Sequence, residues 1–181
     1  MCKDTLFKYS LIACSNIKEK KITNELEKCI EAITLMNGIG FESGGISLSH
    51  AIAHSMTVGA RKHKEFMHGE EVAVSLITQL SFQNNINELN KITKLFCQIG
   101  LPVTYKQLKL DIFNNKNNEN NNNEIKSIFD VLFGDRLEFR NNQIGDVNKK
   151  TVLNAMKNAE KYVEPILNDI GQDEFSKFHT N

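Results

Sequence analysis

The sequence has no tryptophan, only two prolines in 181 residues, and no excess of either charge, with 22 Lys and Arg against 22 Asp and Glu. A net charge of zero argues against nucleic acid or an acidic membrane surface as the main partner, since both select a basic excess. No run of about 18 apolar residues occurs, so nothing reads as a bilayer span. Cys2, Cys14, Cys29 and Cys97 form no CxxC pair and no dense framework. They read as packed thiols in a reducing compartment rather than as disulfides. Met1-Cys2-Lys3-Asp4 lacks the basic, then apolar, then small-residue pattern of a signal peptide, and the expected setting is soluble and cytoplasmic.

What is present points to helix. With 40% apolar residues the chain supplies a core, and one domain over residues 1–181 is the expectation. Ile22, Leu26, Cys29, Ile30 and Ile33 follow a helical stripe, which Gly38-Ile39-Gly40 is expected to end. Val72, Leu76, Ile77 and Leu80 form a second stripe. A third runs from Ile86 through Leu89, Ile92, Leu95 and Phe96 to Ile99, and Gly100-Leu101-Pro102 stops it. Ile125, Ile128, Phe129 and Leu132 predict a short helix. Val152, Met156, Ala159, Val163, Ile166, Leu167 and Ile170 predict a long one, interrupted or bent near Pro165. Only Arg136–Arg140 alternates like a strand. The expected class is all-α, a bundle-like helical domain.

Asparagine occurs 22 times, and eight of the ten positions 114–123 are asparagine. That tract buries no apolar surface and reads as a disordered insertion, so shortening it is expected to change stability little. Glycine is biased too: six of ten lie between Gly38 and Gly69, the stretch that also holds four of the five histidines.

Gly38-Ile39-Gly40-Phe41-Glu42-Ser43-Gly44-Gly45 leads towards a helix bearing His50 and His54. At i, i+4 these imidazoles share one face, a spacing that suits metal ligation or an ordinary solvated face equally. His68-Gly69-Glu70-Glu71 opens the next apolar helix. The positive pole of a helix N-terminus favours the neutral imidazole, the only form that ligates a metal. No acid of this segment completes a ligand set: Glu42 sits among glycines, and Glu70 and Glu71 read as first-turn helix residues. His63 lies in the charged run Arg61, Lys62, Lys64, and His179 lies two residues from the end, where fraying is expected.

Phe41-Glu42-Ser43-Gly44-Gly45, His50-Ala51-Ile52, Met67-His68-Gly69-Glu70 and Val72-Ala73 together resemble the C-terminal helical domain of glycerol dehydrogenases. These belong to the iron-containing, group III alcohol dehydrogenase superfamily, of dehydroquinate synthase-like fold. The likeness continues through Thr78-Gln79-Leu80 and Ile99-Gly100-Leu101-Pro102.

The resemblance implies a divalent metal, zinc or iron, with His50 and His68 as two of its ligands. It implies NAD as cofactor, glycerol or a similar polyol as substrate, oxidation to dihydroxyacetone, and a homo-oligomer. The family's third ligand is an aspartate of a preceding segment. Neither that segment nor the dinucleotide-binding half is in this sequence, so the chain alone is expected to be incomplete. His54 is the catalytic candidate, although it follows His50 by four positions where many glycerol dehydrogenases have three. His50 and Phe41 are the substrate-binding candidates, Phe41 having a core aromatic as its alternative. Two other readings stay open: a glycerol-1-phosphate dehydrogenase or dehydroquinate synthase-like enzyme, for which Arg61, Lys62 and Lys64 are available, and a truncated, non-catalytic interaction subunit.

Overall fold

Helix begins at the second residue. The computed structural model describes residues 1–60, 65–110, 113, 119–134, 142 and 145–179, and these form two compact units, Met1–Gly45 and Ile46–Asn181. The sequence carries no linker where they divide. Among the described residues every regular element is a helix, which makes the fold all-α. None is long and apolar enough to cross a membrane.

In the first unit, α1 (Cys2–Lys18) packs against α2 (Asn24–Glu31), burying Ala13 and Cys29. Thr23 caps α2, accepting from the Leu26 N–H, and is itself held by the Asn16 amide at 2.7 Å. The chain does not stop at Gly38-Ile39-Gly40. It widens into a π-helical stretch, Ala32–Met36, and continues as α3 (Asn37–Gly44). Glycine inside a helix costs only about 1 kcal/mol relative to alanine and imposes no stop by itself. The break comes at Gly45, whose φ of 66° is a conformation glycine adopts freely. The predicted stripe is also less buried than an amphipathic face: Ile22, Ile30 and Ile33 are exposed.

The second unit is built around α5 (His68–Phe82), which packs on α4 (Leu48–Gly59), α6 (Ile86–Ile99) and α8 (Lys149–Ile170). Helix α7 (Glu119–Leu132) lies across α4. The short α9 (Asp173–His179) packs on α6. Leu48, Ile52, Met56, Val74, Ile128 and Met156 are fully buried where these helices meet. Asn85 and Asn148 cap α6 and α8, and Gly100 ends α6 in the left-handed conformation that its position in the stripe predicts. Tyr105 ties the segment after α6 to its neighbours: its hydroxyl meets Thr78 at 2.6 Å, and its N–H donates to Glu160 at 2.8 Å.

Two expectations change here. Pro165 does not interrupt α8, which runs on to Ile170. Pro165 and Lys161 both lie on the exposed side, so the carbonyl that loses its helical donor faces water. The asparagine tract is not loop throughout, because α7 starts at Glu119 and takes positions 119–123 into its backbone. The buried Ile128, Phe129 and Leu132 anchor that helix from its far end. Positions 114–118 and Arg136–Arg140 lie outside the described residues.

Helices α4 and α7 cross closely at Gly59. A Cβ built there would stand 2.8 Å from the Ile128 backbone nitrogen and 2.9 Å from its Cα. No side chain fits at that crossing.

Candidate metal centre

The start of α4 is held by its neighbour. Ser47 precedes the helix without capping it, and the amide oxygen of Gln79 on α5 takes that part. This one oxygen accepts from the Ser47 hydroxyl at 2.8 Å and from the Ser49 N–H at 2.8 Å, satisfying an orphan donor of the first turn. The Asn142 amide donates to the Ile46 carbonyl at 2.9 Å just upstream. His50 therefore leaves a first turn fixed from two sides, and His54 follows one turn on.

The start of α5 is held as firmly. Glu70 reaches back to accept from the Met67 N–H at 2.7 Å, the carboxylate half of a capping box. Its other oxygen accepts from Nε2 of His179 at 2.6 Å. The His179 ring stacks on Phe175 at 4.2 Å and on Phe66 at 5.6 Å. His179 is thus docked, not frayed, because these two rings cover its faces.

His50, His54 and His68 meet at one cleft of about 170 Å³, completed by Ile46, Ala51, Ser55, Val131 and Leu132. The His50 and His68 ring centroids are 6.1 Å apart and their planes tilt by 53°. An imidazole nitrogen binds zinc at about 2.1 Å, which at the tetrahedral angle sets two rings sharing one ion about 5.2 Å apart. The observed pair stands wider than that by about 1 Å, within reach of a small rotation of either side chain. Burial, and secondarily the neighbouring His68, hold the His50 pKa below its ordinary value. Both effects favour the neutral imidazole, the form that ligation requires. Nδ1 of His68 stands 3.4 Å from Oε2 of Glu71.

Among the described residues no group of three His, Cys, Asp or Glu stands close enough to hold a metal ion. The donor set present is a pair of imidazoles facing a shared cleft, so the fit is to part of a coordination shell. Phe41 lies on α3 of the first unit and is 55% exposed, so it is not a core aromatic. Arg61, Lys62, His63 and Lys64 lie outside the described residues. None of the four cysteines is in a disulfide, and Cys29 and Cys97 are buried. Glu71 is the first-turn residue of α5 that the sequence predicts, but its burial was not foreseen, and His179 is held where fraying was expected. The signal for Glu71 was its place three residues after His68, on the same face of α5.

No family model matches the chain. The glycerol dehydrogenase of Thermotoga maritima is 32% identical over 163 residues, which cover 90% of this chain and 42% of that protein. That of Pseudomonas putida is 37% identical over 110 residues, 60% of this chain and 30% of that one. The crystal structure of glycerol dehydrogenase from Schizosaccharomyces pombe superposes with a TM-score of 0.80 at 28% identity, covering 93% of this chain and 41% of that chain. The chain is a homologue of glycerol dehydrogenases. It spans less than half the length of the relatives it matches. The alignment takes in both helices that carry the histidine pair, and the fold superposes on 41% of the Schizosaccharomyces pombe chain.

Proposed function

We propose that this chain is the metal-binding helical part of an NAD-dependent glycerol dehydrogenase. The observation that carries the reading is the meeting of His50 and His68, 18 positions apart in sequence, at 6.1 Å across one cleft. His50 and His68 are two of the protein ligands of a divalent ion, zinc or iron. When bound, the ion supplies Lewis acidity towards an alcohol oxygen, and NAD supplies the hydride acceptor.

The chain's own residues bind and orient. His50 is kept neutral by its half-buried position, and His68 projects from the capped start of α5. His54, one turn beyond His50, reaches the same cleft and positions a substrate hydroxyl. Ile46, Val131 and Leu132 limit water around the reacting carbon. Phe41 is assigned to the substrate side, on the strength of the resemblance. A small polyol as substrate, a cytoplasmic setting and a homo-oligomer belong to the same reading. The dinucleotide site and the acidic third ligand are assigned to the part of the relatives that this chain does not span.

The test is zinc or cobalt binding to the chain by calorimetry, and glycerol oxidation when the dinucleotide-binding part is supplied. With that part supplied, His50→Ala and His68→Ala are each expected to remove tight metal binding and turnover, because a site with three protein ligands rarely survives the loss of one, whereas the chain alone, with two imidazoles, is expected to bind more weakly. His54→Ala is expected to cost less. A mild effect at His68 beside a severe one at His54 would show that the ligands are wrongly assigned.

A further inference from the structure

Glu71 is only 1% exposed, although a carboxylate in the first turn of a helix is cheaper to leave in water. Its surroundings show what holds it. The Thr57 hydroxyl, on α4, donates to its Oε2, and Nδ1 of His68 stands 3.4 Å from the same oxygen. The N-terminal end of α5 adds the positive pole of a helix dipole. The carboxylate is thus pinned between the two helices that carry the histidine pair.

A neutral imidazole keeps its proton on one ring nitrogen, and the partner of each nitrogen decides which. A carboxylate oxygen accepts only from a protonated Nδ1, which leaves the Nε2 lone pair on the ring's other edge free to ligate. Packing does not do this for His68, because its side chain is 56% exposed. We propose that Glu71 is a positioning residue: held by Thr57, it keeps the His68 proton on Nδ1 and so directs Nε2 to a divalent cation shared with His50. The cation part of this rests on the metal-binding reading of the cleft. The tautomer part does not.

The experiment uses the 181-residue chain with ¹⁵N-labelled histidine, metal-free, at about pH 8, above the ordinary histidine range. The His68 signals are assigned by their loss in His68→Gln. Wild type is expected to show the Nδ1–H tautomer at His68. Glu71→Gln, whose amide oxygen also accepts, is expected to keep it, and Glu71→Leu to lose it. Cobalt titration of the same samples is expected to show an affinity about 10- to 100-fold weaker in Glu71→Leu, with partial recovery in Glu71→Gln.

An Nε2–H tautomer at His68 in folded wild type overturns the proposal without recourse to any variant. So does an unchanged tautomer and cobalt affinity in Glu71→Leu. Failure of wild type to bind cobalt, or binding indifferent to His50→Ala and His68→Ala, overturns the metal reading and the cation part with it. The tautomer measurement still decides what Glu71 does to His68.

Discussion

Replacing Gly59 with alanine puts a methyl group where α7 already lies. The added carbon would stand 2.8 Å from the Ile128 nitrogen, 2.9 Å from its Cα and 2.9 Å from the Ser127 carbonyl carbon. Carbon atoms rest at about 3.5 Å or more, so one backbone must retreat by about 0.6 Å. The obstacle is backbone, and no rotamer change relieves it. Forcing one extra carbon into a packed contact costs about 1–3 kcal/mol. Alanine's better helix propensity returns at most about 1 kcal/mol, and less at the last residue of α4. The net expectation is a loss of about 1–2 kcal/mol, or about 2–8 °C in Tm for a chain of this size. Urea unfolding followed by circular dichroism should show a lower midpoint with an unchanged slope. Gly69→Ala is the control: it is helical too, and its Cβ would meet nothing within 4 Å. A Gly59→Ala variant as stable as the parent, or one that gains as Gly69→Ala does, would show that α4 and α7 do not meet backbone to backbone at this crossing.

Other outcomes follow from single contacts. Gln79→Leu removes the acceptor of both the Ser47 hydroxyl and the Ser49 N–H, and is expected to cost about 1–3 kcal/mol. Amide exchange at Ser49 should quicken, and an unchanged rate would show that the first turn of α4 does not depend on α5. Burial holds the Glu160 carboxyl above its ordinary range, against the hydrogen bond it accepts from Tyr105. The folded chain then binds that proton more tightly than the unfolded one, so stability falls as pH rises from the ordinary carboxylate value through the raised one. Glu160→Gln is expected to raise the urea midpoint at neutral pH and to lose the advantage below about pH 4, and a gain that grows towards acid would contradict this.

What the sequence made legible was local. Helix α6 was readable from Ile86 to Ile99 because its apolar spacing and the left-handed Gly100 are properties of adjacent residues. His50 and His54 were readable as one face for the same reason, and residue resemblance joined His68 to them. Contacts between distant parts were not readable. Glu70 and Glu71 look alike in sequence, yet about 100° of helical rotation separates them. That rotation sends one to His179 and the other into the core against Thr57. The glycines at 38 and 40 looked like a stop because glycine is common at helix ends, but neither has the positive φ that Gly45 has. That α8 runs on past Pro165 depends on which side of the helix faces water, which neighbouring residues in sequence do not show.

The hydrogen bond between His179 and Glu70 spans 109 positions of sequence and joins the last helix to the first turn of α5. It works as a fastener: the chain's far end is clipped beside the residue that the metal reading needs most. Cutting the chain ahead of Phe175 as though α9 were an inert tail would unclip it. Phe66 would lose its stacked imidazole and one oxygen of Glu70 its donor, leaving that carboxylate with the Met67 N–H on its other oxygen. Handling of the carboxyl end, by trimming or by fusion of a bulky tag, is therefore handling of the histidine cleft at one remove.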